Sequence, residues 1–301
     1  MKTISTKEAF EAYEAVRHRL PTVAASGARH RRAETLADIA DGFDVFLLDA
    51  FGVLNIGETA IPGTRERIDD LRAAGKRVLV VSNAAGFPHA ALTEKYTRLG
   101  FDFAPEDVIT SRVALLDGLK SREDLHWGLM ATRSTGLQDF EDLTLSYLEE
   151  DPEAYDRVDG FLLVGSMSWT EPRQALLEAA LERRPRPVLV GNPDIVAPRE
   201  TSFSIEPGHF AHRLADRTGI VPEFYGKPFP GIFELAFKRL GDVDQSRVLM
   251  VGDSLHTDIL DARSVGIASA LIAQYGFFAG HDAEEAVRAA GIVPDFIVER
   301  P

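Results

Sequence analysis

The sequence predicts an α/β protein: a doubly wound, mainly parallel sheet of Rossmann-like type, with an inserted α/β cap domain. Two observations predict it. Three apolar runs end abruptly in polar groups: Phe46-Leu-Leu-Asp-Ala-Phe-Gly-Val-Leu54, Val80-Val-Ser-Asn83 and Val248-Leu-Met-Val-Gly-Asp-Ser-Leu-His-Thr-Asp258. Buried parallel strands do this where they deliver side chains to the carboxyl edge of a sheet. The stretch between Ser82 and the Gly226-Lys-Pro228 segment is also too long for one further crossover, yet long enough for a separate α/β module.

Taken in order, residues 6–20 carry Phe10, Tyr13, Val16 and Leu20 at helical spacing before Pro21, which predicts an amphipathic leading helix within an N-terminal extension over 1–40. Phe43 to Leu54 reads as a buried strand running into a loop. Gly63 to Gly75 reads as a helix closed by glycine, and Val78 to Val81 as the next strand. The inserted module is placed at 113–205. Its expected strands are His126–Met130, Gly160–Gly165 and Pro187–Gly191, and its expected helices 137–150 and 171–184, forming a small mixed sheet. A helix over Ile232–Gly241, a strand over 247–251, a helix over 258–265 and a strand over 268–273 complete the core. The core is therefore discontinuous, 1–112 and 206–301.

Composition narrows the partners. With 33 Lys+Arg against 47 Asp+Glu, the net charge of −14 opposes nucleic acid or an anionic membrane as the primary partner. There is no cysteine, hence no disulfide and no thiolate metal site. The first ten residues lack the apolar centre of a secretory signal, and no apolar run has membrane-spanning length, so a cytoplasmic location is the expectation.

The polar strand ends carry the chemistry. Asp49 has apolar support behind it and loop amides ahead, which suits a carboxylate nucleophile; it equally suits a residue capping the loop. Asp253 and Asp258 suit an oxygen-liganded divalent cation such as Mg²⁺, against the plainer alternative of helix capping. Lys227 is a point charge suited to a phosphoryl oxygen. Ser82 and Asn83 offer donors at a strand-to-helix junction, where anions are favoured but an ordinary N-cap is also at home.

Together and in this order, these segments resemble the four motifs of the haloacid dehalogenase superfamily. The short interval from Asp49 to Ser82 and the long one from Ser82 to Lys227 resemble its C2-capped (class IIA) branch, which includes p-nitrophenyl phosphatase-like enzymes. Ile109-Thr-Ser111, Gly191-Asn-Pro-Asp194 and Gly226-Lys-Pro228 add local matches, and the likeness covers about residues 40–301. The resemblance implies a Mg²⁺-dependent phosphatase acting on a small phosphorylated metabolite. It implies Asp49 as nucleophile with Lys227 as its catalytic partner, and Mg²⁺ bound by Asp49, the Phe51 carbonyl and Asp253 with Asp258 in support. Phosphate would be held by Ser82, Asn83, Lys227 and Gly52, and Asn192 and Asp194 would lie in a substrate-facing cap loop. A homo-oligomer is compatible with it.

The chain departs from that pattern at Phe51, where phosphatases of the superfamily usually carry a second aspartate serving as acid and base. Losing such a group commonly costs on the order of 10²–10⁴ in rate. A phosphatase with good leaving groups, or with an acid borrowed from His256 or Asp194, is one reading. A dehalogenase- or phosphonatase-like hydrolase is another, opposed by the position of the cap, and a phosphate-binding regulatory protein is a third. His209 and His212, three apart, could share a helical face as metal ligands but lack an evident third. Trp127 and Trp169 read as cap core or cap-edge residues.

Overall fold

Phe46 and Leu48 of the strand Val45–Leu48 pack into one apolar cluster, and Val45 and Leu47 into another on the opposite face. Such a strand needs cover on both sides, which helical crossovers between parallel strands supply. The computed structural model, which describes residues 4–23, 30–122, 124–199 and 202–301, places this strand inside a seven-stranded sheet. Across the sheet the order is Arg31–Thr35, Phe296–Arg300, Ala268–Ile272, Val248–Gly252, Val45–Leu48, Arg77–Ser82 and Val108–Thr110, every pair parallel. Val45–Leu48 thus lies between the strands that end in Asp253 and Ser82. Three sequence segments far apart in the chain meet at one carboxyl edge, the place where open α/β sheets bind ligands.

A second sheet is built from the insertion. Its order is Glu223–Phe224, Val188–Val190, Gly160–Leu163, His126–Met130 and Thr144–Tyr147. Three expectations change here. The sheet is wholly parallel rather than mixed, because each pair of strands is joined by a crossover. The helix expected at 137–150 is absent; that stretch ends instead in the strand Thr144–Tyr147, with Leu143, Leu145 and Tyr147 directed at every second position into one cluster. The insertion also runs past 205. Phe210, Ala211 and Leu214 of the helix Pro207–Thr218 pack with Leu163, Leu177 and Val190 of this unit, and Glu223–Phe224 pairs with Val188–Val190.

The leading helix Thr6–Ala15 is opened by a capping box in which Ser5 and Glu8 satisfy each other's backbone N–H groups. A short 3₁₀ turn, Arg17–Arg19, replaces its expected last turn. Ala9, Tyr13, Val16 and Leu20 pack at once against Leu255, Ile259 and Phe277 of the core and against Ile195 and Val196 of the insertion. Arg19 pairs with Asp216 on Pro207–Thr218. The extension therefore bridges the two units. Among the described residues no helix is long and apolar enough to cross a membrane.

Candidate active site

Strand Val45–Leu48 ends one residue before Asp49, whose N–H donates to the Val251 carbonyl at 2.9 Å and so locks it beside the neighbouring strand. The Lys227 ammonium, 1% exposed, lies 2.8 Å from Asp49 Oδ1 and 2.7 Å from Asp258 Oδ1, and donates to the Val81 carbonyl at 2.7 Å. Its three protons all have partners in this arrangement, which makes Lys227 a fixed positive charge between the two carboxylates. Burial opposes that charge, but Asp258 and Asp49 outweigh it and hold the ammonium's pKa above its ordinary value.

Asp258 is wholly buried, and its other oxygen accepts from the N–H groups of Asp253 and Ser254 at 3.1 and 3.0 Å. The π turn Leu255–Ile259, which leads into the α-helix Leu260–Val265 of the expected 258–265 stretch, folds the carboxylate back onto these amides. Asp253 accepts from the Phe277 N–H at 2.7 Å. Asp49, Asp253 and Asp258 each present an oxygen within 4.8 Å of the others. Burial pushes the Asp49 carboxyl up to about 6; Lys227 pulls it down and Asp258 adds to the rise. Burial, then the charges of Asp258 and Asp49, push Asp253 well above the carboxylate range. Three carboxylates face one ammonium, and the surplus negative charge is what a divalent cation would neutralise.

Glycines make room for this crowding. A Cβ on Gly52 would stand 2.4 Å from Asp253 Oδ2, and one on Gly276 at 1.9 Å; both have positive φ, +74° and +71°. Gly52 also donates its N–H to the Asn55 carbonyl at 3.0 Å, so its missing Cβ has a steric duty beside the expected phosphate role. Gly52→Ala is expected to lower stability by about 1–2 kcal/mol from left-handed strain alone. It should also displace Asp253, so that turnover falls with stability; urea unfolding and an activity assay on the same preparation check both.

A family model described as haloacid dehalogenase-like hydrolase matches residues 46–140, and a second, HAD-hydrolase-like, matches residues 224–299. The two take in the strand ends that carry Asp49, Ser82, Lys227 and Asp253. The chain belongs to the haloacid dehalogenase superfamily of hydrolases. Within it, it falls in the class IIA branch, whose cap is inserted between the second and third motifs. An acid sugar phosphatase of Staphylococcus aureus is 28% identical over 225 residues, 75% of this chain and 84% of that protein. The crystal structure of a possible sugar phosphatase of the superfamily from Cytophaga hutchinsonii superposes with TM-score 0.80 at 24% identity, over 90% of this chain and 98% of that one. That of a glycerol phosphate phosphatase from Mycobacterium tuberculosis, in complex with magnesium, superposes with TM-score 0.68 at 25% identity, over 86% and 75%.

In this haloacid dehalogenase-like hydrolase, several expected site residues have other duties. Asn83 Nδ2 donates to the Lys227 carbonyl and to Asp194 Oδ1, both at 2.8 Å, while its Oδ1 accepts from the Lys227 N–H at 2.7 Å. The side-chain amide brackets core and cap, which leaves the backbone N–H as the Asn83 donor for the expected phosphate role. Asn192 shapes its own loop, accepting from the Asp194 N–H at 3.0 Å and donating to Glu206 at 3.2 Å. Ser82, buried at the end of Arg77–Ser82, stands beside Asp49's strand as expected. The Phe51 ring lies between the Lys95 ammonium at 5.4 Å and the Arg199 guanidinium at 5.3 Å, facing the cap.

His256 is no free acid: its Nε2 lies 2.5 Å from Glu14, and its ring stacks on Tyr13 with centroids 5.1 Å apart. His212 stacks on Phe224, and burial pushes it down to about 4, while His209 packs edge-on against Phe210. Among the described residues the group able to hold a metal ion is the Asp49, Asp253 and Asp258 set, without either histidine. Trp127 is cap core, as expected. Tyr96, on the helix His89–Arg98, is a neighbour the sequence reading missed. Its buried phenol is pushed up by burial and then by the Asp49 charge. A lone tyrosine on the apolar face of the helix after Asn83 was the available signal.

Proposed function

We propose that this chain is a Mg²⁺-dependent phosphatase acting on a small phosphorylated metabolite through an aspartyl-phosphate on Asp49. The observation that carries the reading is Asp49 at the carboxyl edge, held at 2.8 Å by a buried lysine and within 4.8 Å of Asp253 and Asp258. The Val251 carbonyl holds the Asp49 backbone and Lys227 holds Oδ1, so Oδ2 is the oxygen that would make the in-line attack on phosphorus. The names of its relatives, a sugar phosphatase and a glycerol phosphate phosphatase, support a phosphate ester of that class as substrate.

The residues present fit Mg²⁺, because the carboxylate surplus needs a cation and all its ligand atoms are oxygens. Asp49 and Asp253 would hold the ion with the Phe51 carbonyl, and Asp258 would orient Asp253's loop and Lys227. When bound, the ion supplies positive charge to the phosphoryl oxygens. The test is phosphate release from sugar phosphates, glycerol phosphate and 4-nitrophenyl phosphate, with Mg²⁺ or with EDTA. Release restored by Mg²⁺ and abolished by EDTA is the expected result; release that ignores EDTA would remove the metal from the reading.

A further inference from the structure

In-line displacement places the leaving oxygen on the far side of phosphorus from Asp49, away from the sheet and toward the cap. An alkoxide leaving there needs a proton. The acids near the carboxyl edge are few, and most are committed. Asp49 is the nucleophile, Asp253 belongs to the cation cluster, and Asp258 is paired with Lys227. Glu206 accepts from Ser204 and pairs with Arg199. His256 is held by Glu14 under Tyr13, and residue 51 is a phenylalanine.

Among the described residues, Asp194 is the carboxyl that reaches this edge from the cap. It lies on the loop that follows Val188–Val190, and its Oδ1 accepts from the neutral amide of Asn83, the same amide that grips Lys227's backbone. The loop is held firmly: Asp194's carbonyl accepts from the Gly208 N–H at 3.0 Å, and the next residue, Ile195, donates its N–H to the Tyr13 hydroxyl at 3.1 Å. With Oδ1 fixed by a neutral donor, Oδ2 is the oxygen left to carry a proton.

We propose that Asp194 donates the proton to the leaving oxygen and later takes one from the attacking water, replacing from the cap the acid that position 51 lacks. This rests on the phosphatase reading. In the first half-reaction an Asp49 oxygen bonds to phosphorus and the ester P–O bond breaks. The bonding pair stays on the ester oxygen, which takes the Asp194 proton, giving alcohol, aspartyl-phosphate and Asp194 carboxylate. In the second, water oxygen bonds to phosphorus, its proton passes to Asp194, and the Asp49–phosphorus bond breaks, giving phosphate and restoring both carboxyls. The surroundings of Asp194 favour the proton on balance, burial first. Burial pushes it up to about 8; the amide of Asn83 pulls it down, Asp49 adds to the rise, Lys227 opposes it, and Glu206 adds again. The facing Tyr13 phenol is itself held above its ordinary range. Both directions favour the acid form of Asp194.

The experiment compares wild type and Asp194→Asn, with Mg²⁺, on glycerol phosphate and on 4-nitrophenyl phosphate, whose leaving group departs as a stabilised anion. Asparagine keeps an oxygen for Asn83, and Asp194→Ser serves as a second variant should the first not fold. For glycerol phosphate, kcat/KM is expected to fall on the order of 10²–10⁴. For 4-nitrophenyl phosphate, kcat/KM should stay near wild type while kcat falls, with a burst of nitrophenolate as the phosphoenzyme accumulates. An equal loss of kcat/KM on both esters without a burst would make Asp194 a structural residue and overturn the proposal, as would no loss on either. If wild type releases phosphate from neither ester, the phosphatase reading falls and takes this role with it; that failure appears before any variant is made.

Discussion

Lys227→Met is expected to cost the metal-free protein about 3–5 kcal/mol of stability, because it removes the only cation from a buried cluster and leaves its partners unpaired. Asp258 is wholly buried and Asp49 nearly so. The Val81 carbonyl also loses its donor. The deficit should deepen as pH rises. A buried carboxyl whose folded pKa is raised keeps its proton when the unfolded chain has released it, so stability falls between the two values. In wild type that interval for Asp49 runs from 3.8 to about 6; without Lys227 it extends upward. Urea titrations at pH 5 and pH 8 with EDTA measure this, and a variant equally stable to wild type at both would contradict the assigned geometry.

Asp49→Asn is expected to behave in the opposite way. Phosphate release should fall by a factor on the order of 10⁴ or more, since an amide cannot form the acyl-phosphate and effects of this size follow loss of a nucleophile. Stability should not fall. Lys227 keeps Asp258 and the Val81 carbonyl, and a buried carboxyl whose ionisation the fold resists is replaced by a neutral group of the same shape. Above about pH 6 the metal-free variant should be the more stable protein. Thermal unfolding with EDTA and a turnover assay with Mg²⁺ separate the two effects, and a variant that is both inactive and destabilised would deny Asp49 its special strain.

The carboxyl-edge residues were legible because strand ends announce themselves. An apolar run that stops at Asp49, at Ser82 or at Asp253 marks a buried strand reaching the polar carboxyl edge of its sheet. Residues whose roles depend on partners far along the chain were not legible. Nothing local to Asn83 tells that Lys227 and Asp194 engage its side-chain amide. Nothing local to Gly52 tells that Asp253 needs the space of its missing Cβ. Leu137, Phe140, Leu143 and Tyr147 fit helical spacing as well as Leu143, Leu145 and Tyr147 fit a strand, and tertiary packing chose the strand. Glu223–Phe224, two residues long, is too short for any periodic signal, so the end of the insertion was set too early.

The bridging helix has a consequence for how the protein is made. Ribosomes deliver Thr6–Ala15 before its partners, for Tyr13 meets Ile195 across 182 residues of sequence and Glu14 meets His256 across 242. This helix thus waits long after its synthesis to dock, since long-range partners must exist before they reward closure. Until then the stripe of Ala9, Tyr13 and Val16 has no apolar surface to cover it. A nascent chain stalled before residue 256 therefore displays that stripe to chaperones and proteases, and withdraws it only when core and insertion are both complete.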